Sequence, residues 1–310
     1  MRIAIVGGGF YGLCVAEFFK GHDVHIFEKE SDCMTQGSNL CQCRIHSGMM
    51  YPRSIKTAIS CIRNFKPFFL KFRSAIVSDF LNLYAVHEDS NISVPEYEKF
   101  TKEIGLEIEE YKPDFDMLHV QKVYKVKEYS IDKDKVKEIL LSDTKAKLHL
   151  NSEVYLNDLR DFDIVLNCSY SGINNFLEKS GLKPLPLVVQ KFEKIIARDN
   201  LNCSLTVVDG DFFSSLQNKD LTTYTGCNLS KVKDKSRHSE VFQRVREIIP
   251  DVKLEYIDSV FGEKCTLNCD RLSNIFKHNN RVFSILGGKL SNVFDLSAQI
   301  NRLKREEKWK

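Results

Sequence analysis

Gly7, Gly9 and Gly12 fall in the run Gly7-Gly8-Gly9-Phe10-Tyr11-Gly12, directly behind the apolar stretch from Arg2 to Val6, and Glu28 closes the next apolar stretch, Asp23 to Phe27. In such a pattern the first glycine permits a tight turn and the second lets backbone approach a pyrophosphate. The third, here with Ala16 beyond it, lets a helix pack closely on the strands. Phosphates would then sit at a helix N-terminus, where unpaired N–H groups and the dipole favour anions. The Glu28 carboxylate can accept hydrogen bonds from ribose hydroxyls and repels a 2′-phosphate, so NADP is disfavoured against NAD or FAD. The glycine pattern alone does not separate those two.

His46 lies in the polar, glycine-flanked stretch Arg44-Ile45-His46-Ser47-Gly48, where an ordinary core histidine is poorly explained. An imidazole there can remove a hydroxyl proton, hydrogen-bond a cofactor ring, serve as an attachment point, or only bond backbone and shape the loop; the residues do not choose. Arg44, Arg53 and Arg271 are candidates to hold a carboxylate or phosphate, because guanidinium grips both bidentately. Tyr51 and Tyr224 can line a pocket or fill a core, and Asp209, in an Asp-Gly pair, is first a turn residue. Nucleophilic Ser/His/Asp chemistry has no support, since no Gly-x-Ser-x-Gly elbow occurs. Cys41-x-Cys43 and Cys265-x3-Cys269 each offer half a metal site, but no second CxxC or His-x3-His completes either. No metal is expected, and the ten cysteines are read as free thiols of a reducing, cytoplasmic compartment.

The elements that must position these residues begin with a βαβ unit: a strand over 2–6, a helix over 12–20 and a strand over 23–27. An NAD-binding Rossmann domain would continue with further βα units after Glu28, and this chain does not. From 56 to 85 the pattern reads as helical, with Phe65, Phe68, Phe69, Phe72 and Phe80 on roughly one face as core. A helix is expected over 94–104 after Ser93 and Pro95, a strand over 118–126, a lysine-rich helix over 133–142, and strands at 147–150, reaching Val154, and 164–168. Strands follow from 185 to 230, then a helix near 236–249, a strand from 281 ending at Gly287-Gly288, and a final helix. The 310 residues suffice for one large or two interleaved domains. Hydrophobic residues at 43% and charged residues at 28% exclude disordered and low-complexity classes. A net charge of only +3 argues against nucleic acid, and no apolar run reaches the ~20 residues of a membrane span. The expected partner is a small molecule; oligomeric state is not legible.

From Gly37 to Pro52 the chain resembles the D-amino-acid-oxidase-like (DAO) family of FAD-dependent oxidoreductases. The Ile45-His46-Ser47-Gly48 stretch with Tyr51 is most similar to the flavin-facing segment of L-2-hydroxyglutarate oxidases and, more loosely, of FAD-dependent glycerol-3-phosphate dehydrogenases. Val154 resembles the valine whose backbone meets adenine, Asn167-Cys168-Ser169-Tyr170 the turn beside the dinucleotide, and Gly287-Gly288-Lys289-Leu290-Ser291 the C-terminal flavin motif. A glycine pair opening a helix aims N–H groups at a ligand, which suits the charge a reduced flavin carries near N1 and O2, and Lys289 can add to it. Thr206 to Phe213 resembles a segment of DAO-like proteins from bacterial surface-polysaccharide gene clusters. Asn-Cys-Ser-Tyr replaces the commoner Ala-Thr-Gly-like turn, and the chain is shorter than most relatives, which puts the inherited substrate pocket in doubt.

The resemblance implies an α/β fold: a glutathione-reductase-type FAD-binding Rossmann-like domain with an inserted α+β substrate domain. The former would comprise 1–80, 131–180 and 262–310; the latter 81–130 and 181–261. It implies FAD contacts at Gly7, Gly9, Phe10, Tyr11, Gly12, Glu28, Lys29, Ser38, Asn39, Arg44, His46, Gly48, Val154, Cys168, Ser169, Gly287, Gly288, Lys289, Leu290 and Ser291, and catalytic roles at His46, Arg44 and Arg271. The implied reaction is hydride transfer to flavin N5 from a C–H beside a hydroxyl or amine of a hydroxy acid, amino acid or sugar-linked intermediate. An NAD-linked dehydrogenase and a non-catalytic FAD-binding protein with a degenerate pocket are the alternatives.

Overall fold

The computed structural model describes residues 1–226, 235–267 and 271–306. The aliphatic N-terminus forms the strand Arg2–Val6 near the middle of a six-stranded sheet. Across that sheet the order is Asn274–Lys277, Val282–Leu286, Ile164–Asn167, Arg2–Val6, Asp23–Phe27 and Lys147–His149. Every neighbouring pair is parallel except the antiparallel edge strand Asn274–Lys277. Val6 lies opposite both Phe27 and Asn167, so the turns that follow these strands open side by side at the carboxyl end, where open α/β sheets bind ligands. The chain leaves this sheet after Phe27, returns at Lys147, leaves again after Asn167 and returns at Asn274. N-terminal, middle and C-terminal pieces thus share one sheet.

Between those visits the chain builds an eight-stranded sheet in the order Leu254–Thr266, Val188–Asp199, Leu221–Gly226, Phe213–Asn218, Cys203–Val207, Leu81–His87, Val120–Lys125 and Glu109–Glu110. Its pairs are antiparallel apart from Cys203–Val207 with Leu81–His87. The strand Leu254–Thr266 runs through position 262, so a boundary drawn there falls inside a strand. A three-stranded sheet, Arg44–Ile45, Tyr129–Ile131 and Ile76–Val77, sits between the two larger ones in sequence and presents the loop that carries His46.

The expected helix over 56–85 ends early. Ile55–Lys71 is helical, but Leu81–His87 is a strand, buried along nearly its whole length. A continuous apolar run reads alike as buried strand or buried helix, and the pairing with Cys203–Val207 decides it. Phe68 and Phe72 pack against each other at 4.8 Å and on Phe10, Phe65 and Phe69 lie on Tyr129, and Phe80 falls outside the helix. Val94–Glu103 begins with a capping box between Ser93 and Glu96, as the Ser-x-x-Glu spacing dictates. Lys147–His149 stops short of Val154, which lies in the following irregular segment. Cys269, of the pair with Cys265, lies outside the described residues. No helix among the described residues is long and apolar enough to cross a membrane.

The first turn has no room for side chains. Gly7 holds φ at +106°, and a Cβ on Gly12 would lie 2.0 Å from the Gly7 carbonyl oxygen. Gly12→Ala therefore has to push the helix Phe10–Glu17 off its strand. Overpacking of this kind costs about 1–3 kcal/mol. Urea unfolding should show a lower midpoint with an unchanged slope; an unchanged midpoint would mean the turn is looser than described.

Candidate functional site

A cavity of about 770 Å³ begins at the carboxyl ends of the parallel strands and continues between the sheets. At one end stand Gly7, Gly9, Glu28, Lys29 and Val154; at the other stand His46, Tyr51, Arg271 and Lys289, with Gly287 and Gly288 along the wall. The large sheet contributes Phe192, Ser214, Thr225 and Gly226. Phe10, Tyr11, Ser38, Arg44, Cys168, Ser169 and Leu290 also line it, so most of the residues singled out in sequence converge on one space.

Four of the expected FAD contacts do not line it. Gly12 packs on Gly7, Gly48 packs on the Ala58 carbonyl of the helix Ile55–Lys71, and the Ser291 hydroxyl bonds its buried neighbour Asn292. Asn39 turns away, its side chain accepting from Lys133 at 2.6 Å and its carbonyl from Lys194 at 2.6 Å. Arg53 pairs with Asp209 at the surface, and Asp209 adopts the left-handed turn conformation, φ +64°. Tyr224 is core and donates to Asp199.

The Gly-x-Gly-x-x-Gly end is preorganised in detail. Glu28, nearly buried, accepts from the Gly8 N–H at 2.7 Å and the Glu30 N–H at 3.0 Å, which fixes its carboxylate at the cavity edge. The helix N-terminus is not wholly free, because Ser38 Oγ accepts from the Phe10 N–H at 2.9 Å. On the opposite wall the glycine pair is sterically required. A Cβ on Gly287 would lie 2.4 Å from the Tyr11 ring and one on Gly288 1.9 Å from the Arg271 carbonyl. Tyr11 in turn donates to the Lys289 carbonyl, binding this turn to the first helix.

At the other end the organiser is Glu128, which its sequence neighbourhood does not betray. It is 2% exposed and accepts from the Ser47 N–H at 2.7 Å, the Ser47 hydroxyl at 3.0 Å, the Tyr84 hydroxyl at 2.6 Å and Arg44 at 3.3 Å. Burial pushes its carboxyl up, but His46, Arg44 and Tyr84 outweigh that and hold it at about 2. Arg44 also donates to Asn82 and to the Ser215 carbonyl, which ties both terminal nitrogens to protein while its Nε stays buried without a partner at the cavity wall. His46 directs Nδ1 at Glu128, 3.6 Å away, with the Tyr51 ring edge-on at 5.4 Å. His46 itself lines the cavity. Burial and the nearby Lys289 lower His46 to about 4 against the pull of Glu128, so it is a neutral base at pH 7.

Several polar atoms here lack partners. Tyr51 Oη, Arg271 Nε and His46 Nδ1 are buried without hydrogen bonds, a state proteins seldom tolerate unless a ligand or water satisfies it. Lys289 lies 4.9 Å over the Tyr51 ring, and burial together with Arg271 lowers it to about 7. Glu28 and Lys29 stand at the glycine end of the cavity, and the Arg271 guanidinium stands with Lys289 at the His46 end.

The two buried titrations fix a pH dependence. His46 titrates near 4 in the fold and near 6.5 unfolded, so below about 6.5 the unfolded chain binds the extra proton. The stability it contributes is whole above 6.5 and lost as pH falls to 4, on the order of 3 kcal/mol. Glu128 extends the loss from about 4.3 down to 2, by the same sign. Urea titrations should show stability falling from pH 6.5 to 4, with His46→Gln flattening that window; equal slopes in both proteins would refute the buried neutral imidazole.

No family model matches the chain. A 97-residue stretch is 33% identical to an FAD-dependent monooxygenase of Aspergillus flavus, covering 31% of this chain and 23% of that protein. Among solved structures, glycine oxidase from Geobacillus kaustophilus superimposes with TM-score 0.77 at 14% identity over 98% of this chain and 95% of its own. The FAD-bound L-alpha-glycerophosphate oxidase of Mycoplasma pneumoniae does so with TM-score 0.78 at 13% identity over 100% and 95%. L-proline dehydrogenase from P. horikoshii gives 0.71 at 14% over 97% and 93%. With each of these structures matched over nearly its whole length and nearly the whole of this chain, the chain has the fold of these FAD-dependent oxidoreductases.

Proposed function

We propose that this chain is an FAD-dependent oxidoreductase that oxidises a small anionic substrate at a carbon bearing a hydroxyl or amine. The observation that carries the reading is the cavity itself: one continuous space joins a dinucleotide-type glycine turn to a cluster of buried, unpartnered polar atoms. FAD fits its chemistry. The glycine turn would take the pyrophosphate, Glu28 the ribose hydroxyls, Val154 and its neighbours the adenine, and the Gly287-Gly288 wall the flavin. Bound FAD would supply the acceptor for the substrate's hydride.

The chain's own residues account for the rest. Arg271, whose Nε is buried and unpaired, and Lys289 would hold a carboxylate or phosphate of the substrate. Tyr51 offers an unspent hydroxyl beside them. His46 Nε2 would take the proton of the substrate's hydroxyl, and Glu128 beside Nδ1 would stabilise the imidazolium so formed, since the carboxylate is already ionised. The NAD-linked alternative gains nothing from this layout, because among the described residues the strand beside Asp23–Phe27 is the distant Lys147–His149 and not that of a following βα unit.

Purified protein should show the flavin band at about 450 nm and release FAD on denaturation, and one class among hydroxy acids, amino acids and nucleotide sugars should bleach it anaerobically. His46→Gln should keep the flavin and slow bleaching by roughly 10²- to 10⁴-fold. Protein without flavin even after reconstitution would sink the reading; full-speed bleaching by His46→Gln would remove the role of His46.

A further inference from the structure

One pair of nucleophiles beside the cavity has no part in that chemistry. Cys41 follows the short helix Gly37–Leu40, lines the cavity and is partly exposed; Cys43, two residues on, is buried and immediately precedes the strand Arg44–Ile45. The loop is pinned: Gln42 points into the large sheet, donating to the Ser214 carbonyl at 3.1 Å and the Thr223 carbonyl at 3.3 Å. The Cys43 carbonyl accepts from Ile131 at 2.9 Å, and the Cys41 carbonyl accepts from the buried Lys194 at 3.4 Å.

Within this loop the sulfurs are engaged with each other's residues. The Cys43 N–H donates to Cys41 Sγ at 3.2 Å, and Cys43 Sγ donates to the Cys41 carbonyl at 3.5 Å. Cys43 holds φ at +65°, a left-handed conformation that non-glycine residues rarely adopt outside functional loops. Residues two apart in a chain lie at most about 7 Å apart at their Cα atoms, at the outer limit of a disulfide's reach. The pair is also asymmetric. The hydrogen bond from Cys43, against the cost of burial, and the ammonium groups of Lys289 and Lys194 lower Cys41 to about 6, whereas Cys43 is raised. An ionised, reachable sulfur next to a protonated, shielded one is the division of labour between an attacking and a resolving thiol.

We infer that Cys41 and Cys43 form a peroxide-reactive dithiol on the cavity wall, which closes to a disulfide. The Cys41 thiolate attacks one oxygen of hydrogen peroxide; the S–O bond forms as the O–O bond breaks, and hydroxide leaves. Cys43 sulfur then attacks the sulfenic sulfur of Cys41, forming the S–S bond while the departing hydroxide takes the Cys43 proton and leaves as water. Two thiols lose two electrons and the peroxide is reduced to water. This rests on the thiols' own geometry and stands whether or not the cavity binds FAD.

The test uses the full chain, reduced and then exposed to hydrogen peroxide, alkylated and digested with trypsin. The peptide from Glu30 to Arg44 carries Cys33, Cys41 and Cys43. Treated wild type should give this peptide with only Cys33 alkylated and about 2 Da lighter, the mark of a disulfide within it. Cys43→Ser should stop at a sulfenic acid on Cys41, trapped by dimedone, and Cys41→Ser should form no disulfide. Without any variant, alkylation of Cys41 in the reduced protein should reach half its plateau rate near pH 6 rather than the ~8.5 of an ordinary thiol. The inference is overturned if all three thiols stay alkylatable after other cysteines have oxidised, or if wild type accumulates the same dimedone adduct as Cys43→Ser.

Discussion

A single buried carboxylate holds the working end of this molecule together. Glu128 lies where the eight-stranded sheet, the three-stranded sheet and the His46 loop meet, and it takes hydrogen bonds from Tyr84 on the first and from Arg44 and Ser47 on the others. Removing a carboxylate from water costs several kcal/mol and is repaid only when its lone pairs are filled and a charge lies alongside. Here three neutral donors and a guanidinium meet that condition. Arg44 depends on Glu128 for the same reason, and the loop between them has little freedom to place His46 elsewhere.

This constraint explains how a loop can carry a site with defined geometry. His46 lines the cavity and is held neutral by burial and by Lys289, with a permanent negative charge behind one ring nitrogen. Opposite it, the Gly287-Gly288 turn is locked by Tyr11 and by a contact with the Arg271 backbone that admits no side chain. Both walls are therefore rigid before anything binds, which favours tight positioning without an ordering cost. The Glu28 carboxylate at the glycine turn and the Arg271 guanidinium at the far end match a ligand with sugar hydroxyls at one extremity and developing negative charge at the other.

Much of this was legible in the residues. The glycine turn, Glu28, His46, Lys289 and Arg271 each carry a local signal, a spacing or an unexpected residue in a polar stretch, and all line the cavity. Glu128 carries none: it sits in Lys127-Glu128-Tyr129, indistinguishable from a solvated turn until tertiary contacts bury it. Asn39 and Ser291 flank residues that do line the cavity, and only the local backbone decides which side chain faces in. The strand Leu81–His87 was hidden because an all-buried strand has no alternation to read.

The most direct test of the account is a crystal structure of the protein with FAD. The adenosine ribose should lie at Glu28, the pyrophosphate over Gly7 and Gly9, and the isoalloxazine ring between His46 and Lys289. An isoalloxazine ring remote from His46, or FAD bound outside the cavity, would contradict it.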